Sequence, residues 1–311
     1  MKLFKRAGLT VAGLAGIAVV GLVLLYFVRR LEYAELDESA RESATGQFID
    51  LSDGSTHFQL AGPDSGQVVV LVHGFSVPFY IWDGTFEMLS ENGFHVLRYD
   101  MYGRGYSDRP ETVYDRSLYE RQLLDILEAL DMDTPVSMAG ISMGGAVAVD
   151  FAVRHPDKVR KLVLLAPLYD SREPPPVPEL VTIYLMRTMY AQKLRDNQMT
   201  DFYRPELFPD WADRYRVQMK YKGFQHALVS TIHHYLPADH RENYRRLGEM
   251  GKPVLLIWGR EDQTLPYAGS EVVRGLLQAE FMPVAEAGHL PHLERAKEVN
   301  ARIIEFLARE D

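Results

Sequence analysis

Residues 135–154 read PVSMAGISMGGAVAVDFAVR, and the two halves of this stretch have different periods. PVSMAGIS (135–142) is a short, near-continuous apolar run of the kind carried by a strand buried on both faces of a parallel sheet. AVAVDFAVRH (146–155) has helical spacing. The junction between them is Gly140-Ile141-Ser142-Met143-Gly144-Gly145. Gly-x-Ser-x-Gly alone is a weak motif, but a strand directly before it and a helix directly after it give it a mechanical meaning. The serine then sits on a tight, strained turn with its hydroxyl exposed. Side chains at 140 and 144 would collide with the neighbouring strand and helix, so glycine is needed there. A helix starting at Met143 aims its backbone N–H groups and its positive dipole end at the serine.

The strand pattern recurs to either side. QVVVLVHG (67–74), FHVLRYD (94–100), KLVLLAP (161–167) and PVLLIWG (253–259) are further apolar runs, and a last strand is expected over 280–285. Helical periods fill 115–131, 143–155 and 293–309. Strand–helix alternation predicts an α/β fold with a mostly parallel, doubly wound sheet. The alternation breaks over residues 170–249. That stretch opens on EPPPVPE (173–179), a stiff spacer incompatible with helix, and is rich in Met and aromatic residues from Tyr184 to Phe224. It reads as a helical cap whose apolar underside faces an apolar ligand. The alternative is an insertion whose aromatics form a small core of their own. The main domain is thereby split into residues 46–169 and 250–311.

A serine hydroxyl is a poor nucleophile without a base and an orienting acid. The candidate base is His289 in EAGHLPH (286–292), on the loop between the last strand and the final helix. His292, three residues on, enters the helix and is less well placed. The candidate acid is Asp262, just past the carboxyl end of the strand 253–258. Glu261 beside it and Asp170, after the strand 161–166, are its competitors. The chain order Ser, Asp, His is the order that a nucleophile elbow demands. An oxyanion needs two preorganised N–H donors. Met143, directly after the serine, is the first. Phe75, in His73-Gly74-Phe75-Ser76 after the strand 67–72, is the second. Gly74 permits the close approach, and His73 reads as a structural hydrogen-bonding group.

With these residues in place the chain resembles an α/β-hydrolase-fold serine hydrolase. His73-Gly74-Phe75 resembles the family's oxyanion loop. Asp100-Met101-Tyr102-Gly103-Arg104-Gly105-Tyr106-Ser107-Asp108-Arg109-Pro110 resembles its D-x-x-G-x-G-x-S-x-x-P loop. Gly140 to Gly144 matches the elbow, and the segments around Asp262 and Gly288-His289 match the acid and base loops. The resemblance spans residues 46–169 and 250–311, with 170–249 in the place of the family's variable cap. Haloalkane dehalogenases and epoxide hydrolases carry aspartate at the elbow, so Ser142 argues against both. Serine members include esterases, monoacylglycerol lipases, proline iminopeptidases, carbon–carbon bond hydrolases and perhydrolases. GxSMGG after an N-terminal apolar run resembles the membrane-anchored monoacylglycerol-lipase type. That resemblance implies a carboxylic ester hydrolase acting on lipid-like acyl esters, with no cofactor and no metal. Carbon–carbon or amide cleavage, perhydrolysis, and a non-catalytic binding protein on the same fold are the alternatives.

Composition bounds the rest. Of 311 residues, 47% are apolar and 25% charged, as in folded globular proteins. With no cysteine, the chain has no disulfide, zinc–thiolate site, iron–sulfur cluster or thiol nucleophile. The net charge is −9, yet residues 1–30 carry Lys2, Lys5, Arg6, Arg29 and Arg30 and no acid. The remainder is more acidic still, which disfavours nucleic acid as a partner. AGLTVAGLAGIAVVGLVLLYFV (7–28) lacks any charge. As a helix it would be about 33 Å long, enough to cross a bilayer. Tyr26 and Phe27 suit the interface, and Arg29 and Arg30 stop the run. Residues 1–30 are therefore expected to form a single-pass anchor, with 31–45 as a polar stalk and the catalytic body on the non-cytoplasmic side. A cleaved signal peptide is the alternative, although its apolar region is usually shorter.

Overall fold

The computed structural model describes residues 2–29 and 31–310, with the side chains of 2–13, 15, 191 and 192 outside the description. The strands are β1 (Gln47–Leu51), β2 (Gly54–Ala61), β3 (Val68–Val72), β4 (His95–Tyr99), β5 (Val136–Ile141), β6 (Val159–Leu165), β7 (Val254–Gly259) and β8 (Glu280–Val284). Among the described residues they form one eight-stranded sheet in the order β1-β2-β4-β3-β5-β6-β7-β8. β2 is antiparallel to both β1 and β4. Every other pairing is parallel.

The helices before the cap are α1 (Lys2–Val28), α2 (Glu38–Arg41), α3 (Asp83–Glu91), α4 (Arg116–Ala129) and α5 (Met143–Arg154). Side chains alternate across a strand, so each central strand feeds two cores. Val70 and Val72 of β3 join Leu123 and Ile126 of α4 and Ala146 of α5 on one face. Val69 and Leu71 join Phe86 and Leu89 of α3 on the other. β8 carries Pro283 at the sheet's edge, where its missing N–H takes nothing from the ladder.

Between β6 and β7 the described chain is helical: α6 (Glu179–Leu185), a π turn (Met186–Tyr190), α7 (Ala191–Asn197), α8 (Trp211–Met219), α9 (Phe224–His234) and α10 (Arg241–Glu249). After β7 come α11 (Gly269–Leu276), α12 (Pro291–Glu294) and α13 (Ala296–Ala308). Phe202, Trp211, Tyr215, Met219 and Phe224 are buried in the same cluster as the second face of the sheet. These cap aromatics therefore serve as packing, while Leu180, Met189, Tyr190 and Leu207 stay exposed.

Residues 31–45, expected as a stalk, lie along the body as a strap. The Tyr33 and Ala34 N–H groups donate to the Lys220 carbonyl, and the Lys222 N–H donates back to Ala34. Glu35 pairs with Lys222, and Arg41 with Asp108. The polar composition that suggested a solvated stalk reflects partners on the cap and on the loop 100–110. The end of α1 also touches the cap: Tyr184 donates to the Leu22 carbonyl at 3.0 Å and Arg187 to the Tyr26 carbonyl at 2.9 Å. Among the described residues no helix is long and apolar enough to cross a membrane. The expected span 7–28 lies partly outside the described side chains.

Candidate active site

Ser142 stands at the carboxyl end of β5, at φ 55° and ψ −124°. This is the left-handed region, which a non-glycine residue occupies only under constraint. The constraint is steric. A Cβ on Gly140 would lie 2.4 Å from the Gly144 carbonyl oxygen, and one on Gly144 would lie 2.2 Å from that of His73. No real side chain fits either gap, so β5, α5 and the oxyanion loop pass in direct backbone contact. The Ser142 N–H donates to Leu165 of β6 at 2.9 Å, and its carbonyl accepts from Leu168.

The loop after β3 lies against the serine, since a Cβ on Gly74 would be 3.4 Å from Ser142 Cβ. Among the described residues, neither the Phe75 nor the Met143 N–H has an acceptor. Met143 opens α5, where an N–H has no intrahelical partner. Two unfilled donors flanking a hydroxyl are what a developing oxyanion requires. Arg104, fully buried, holds this loop. Its Nε donates to the Phe75 carbonyl at 2.8 Å, its Nη1 to Tyr119 and its Nη2 to Thr231 of α9. Gln218 of α8 adds a second tie, donating to the Ser76 carbonyl and accepting the Gly105 N–H.

Asp262 and His289 meet at the carboxyl ends of β7 and β8. His289 Nδ1 is 2.8 Å from Asp262 Oδ2. Asp262 Oδ1 accepts the N–H groups of Thr264 and Leu265, each at 2.9 Å, which fixes the carboxylate plane. Both side chains are at most 5% exposed. Burial works against an imidazolium at His289, but the charge and hydrogen bond of Asp262 outweigh it and Asp201 adds to them, so the pKa is raised above 6.5. Among the described residues no Ser142 Oγ–His289 Nε2 hydrogen bond is formed. Contacts of this kind commonly tighten only when substrate is bound. Two wide surface hollows, of about 750 and 840 Å³, flank the strap, and neither is lined by Ser142, Asp262 or His289.

The competing residues have other partners. Asp170 pairs with Arg172 at 3.6 Å and Arg241 at 4.0 Å. Glu261 accepts the Ala287 N–H. His292 donates from Nε2 to the Ile81 carbonyl, and burial pulls its pKa down to about 4. His73 donates from Nδ1 to the Gly74 carbonyl and accepts the Met101 N–H at Nε2, so its neutral tautomer is fully used. Burial lowers its pKa to about 4 as well. Asp100 accepts from His57, Phe79 and Tyr106 and folds the loop 100–110 around itself. Sequence reasoning missed Asp201, Glu294, Arg104 and Gln218. Only the position of Arg104 inside the 100–110 motif offered a signal.

The chain matches the alpha/beta hydrolase fold family over residues 67–296. It belongs to that family and is a hydrolase of the α/β fold. Among its relatives is the 2-hydroxy-6-oxononadienedioate/2-hydroxy-6-oxononatrienedioate hydrolase of Paraburkholderia xenovorans, 30% identical over 86% of this chain and 96% of the relative. The enzyme of the same name from Cupriavidus pinatubonensis is 29% identical over 87% and 98%. The solved meta-cleavage product hydrolase of Pseudomonas fluorescens is 26% identical, covers 84% of this chain and 97% of its own, and superposes with a TM-score of 0.71. The expected likeness to monoacylglycerol lipases gives way to a likeness to carbon–carbon bond hydrolases. GxSMGG and an apolar run carry little substrate information beside a match that includes the cap.

Proposed function

We propose that this hydrolase cleaves the carbon–carbon bond of a 2-hydroxy-6-oxo-dienoate through Ser142, His289 and Asp262. The observation that carries this reading is the match to hydrolases of that substrate over nearly their whole length, cap included. Cleaving such a bond requires a carbon leaving group that can carry an electron pair. Moving the C2 hydroxyl proton to C5 gives the 2-oxo form, in which a pair released at C5 delocalises through C3=C4 onto the C2 oxygen. Ser142 Oγ then attacks C6 while His289 takes its proton, with Asp262 holding the imidazole. The N–H groups of Phe75 and Met143 receive the C6 oxyanion. Collapse breaks C5–C6, and His289 returns the proton to the departing dienolate. Water, deprotonated by the same base, releases the acyl group as a carboxylic acid.

The apolar run 7–28 favours a second reading, the hydrolysis of lipid-like acyl esters by an enzyme held at a bilayer on its non-cytoplasmic side. The same groups serve, with an alcohol leaving in place of the dienolate. One assay separates the two. The full chain and Ser142→Ala are given 2-hydroxy-6-oxo-6-phenylhexa-2,4-dienoate and a series of p-nitrophenyl esters of rising acyl length. Serine-dependent loss of the dienoate absorbance is expected. Ester turnover that rises with chain length, with the dienoate untouched, moves the assignment to the ester.

A further inference from the structure

The cap brings a third carboxylate to the base. Asp201 ends a short 3₁₀ turn (Gln198–Asp201) between α7 and α8. Its carbonyl accepts the backbone N–H of His289 at 2.7 Å. Its Oδ1 accepts the Thr264 hydroxyl at 2.5 Å, and the Thr264 N–H in turn donates to Asp262 Oδ1. One cap residue thus touches the base loop through its main chain and the acid loop through its side chain. The approach is close enough to exclude a side chain beneath it. A Cβ on Gly288 would lie 2.6 Å from the Asp201 carbonyl oxygen and 2.8 Å from the Tyr203 nitrogen. Glu294 of α12 closes the contact, accepting the N–H groups of Tyr203 and Arg204 on the cap and of Gly288 on the base loop.

We propose that Asp201 is a positioning residue of the catalytic base, supplied by the cap: it fixes the His289 loop through its backbone and supports the imidazolium with its carboxylate. The proposal rests on the assignment of His289 as base. Burial raises the Asp201 pKa and the charge of Asp262 adds to it, while the nearby imidazole and the Thr264 hydrogen bond work the other way and favour the carboxylate. Asp201 in turn raises the pKa of His289. The other groups facing this loop are Asp262, hydrogen-bonded to Nδ1; His292, held neutral by burial; Glu294, on the Gly288 N–H; and Glu261, on the Ala287 N–H. Asp262 acts on the imidazole by a hydrogen bond and Asp201 through space by its charge. An anion there favours the charged form in which His289 exists once it has taken the serine proton.

The test is the titration of the His289 imidazole in the full-length chain, followed by NMR without substrate, beside the pH profile of turnover. Asp201→Asn removes the charge and keeps the shape and the backbone contact. The His289 pKa is expected to shift downward, the acid limb of kcat/KM to move with it, and kcat on the plateau to fall severalfold at little change in KM. Asp201→Glu is expected to recover part of the shift. A His289 titration unmoved in a folded Asp201→Asn protein overturns the proposal. Should that variant not fold, Thr264→Val releases the carboxylate from its brace, and a smaller downward shift is expected; no shift overturns the proposal equally. Because the NMR signal needs no turnover, a failed dienoate assay with an Asp201-dependent titration would count against the substrate reading and leave this one standing.

Discussion

Ser142 is held by its neighbours rather than by its own side chain. Its left-handed backbone follows from the crowding at Gly140 and Gly144 and from its bonds to Leu165 and Leu168. None of these involves Oγ, so the hydroxyl is free for chemistry and adds little to the fold. Ser142→Ala is expected to abolish serine-dependent turnover while the unfolding free energy in urea stays within about 0.5 kcal/mol of wild type. A normal rate in that variant would remove the nucleophile assignment. The base makes a prediction of its own. As the proposed base His289 would act only when neutral, and its pKa is raised in the folded protein because Asp262 outweighs burial. The acid limb of kcat/KM should therefore lie above 6.5, the ordinary imidazole value, and the rate should fall about tenfold for each further pH unit below it. A limb at or below the ordinary value would mean that the Asp262–His289 pair does not govern the reaction.

Helix α4 shows how local chemistry sets an element. Asp115 sits at its N-cap in extended conformation, and its Oδ1 accepts the N–H groups of Ser117 and Leu118. Asp115→Ala is expected to cost about 1 kcal/mol, read as a lower urea midpoint at unchanged slope. Turnover should change little, because the substitution loosens the first turn of α4 and leaves Tyr119, which braces Arg104, in its buried place. An unshifted midpoint would show that packing of Leu123 and Ile126 alone fixes the helix. Elements with such internal signals were legible in the sequence. β3, β5, β6 and β7 announce themselves because both faces are buried, and the elbow because strand, turn and helix follow without a gap. β1 and β2 did not, since QFIDL and GSTHFQLA pair at the edge of the sheet and mix polar with apolar residues. The site divides the same way. Asp262 and His289 stand on loops whose place after a strand can be counted. Asp201, Glu294 and Gln218 act through chain segments far apart in sequence, and nothing local to them encodes that meeting.

At the scale of the whole molecule, the strap joins the apolar helix to the cap. Its hydrogen bonds include that of Glu32, which accepts the Gln225 N–H, and those of Tyr33 and Ala34, and its ion pairs reach Lys222 on the cap and Asp108 on the loop 100–110. Among the described residues, α1 meets the cap through the hydroxyl of Tyr184, whose ring stacks on Tyr26, and through the Arg187 guanidinium, which lies over the Tyr26 ring at 3.8 Å. These are surface interactions, and such pairs contribute on the order of 1 kcal/mol or less. From Leu14 to Val28 the large apolar side chains of α1 are exposed around the helix. A helix apolar on all sides needs lipid or protein around it. If lipid covers it, the strap places the cap beside the membrane surface, on the side from which an apolar substrate would come. The full chain is then expected to float with phosphatidylcholine vesicles in a density gradient and to resist release by high salt or alkaline carbonate. A chain of residues 29–311 should remain at the bottom and keep kcat/KM for a water-soluble substrate within about twofold, since it loses the contacts of Tyr184 and Arg187 with α1 but keeps Ser142, Asp262, His289 and the strap's bonds to the cap. Flotation of the shortened chain would put the lipid contact on the exposed cap residues Leu180, Met189 and Tyr190. A full chain that stays at the bottom would remove the reason for a lipid ester and leave the dienoate reading without that rival.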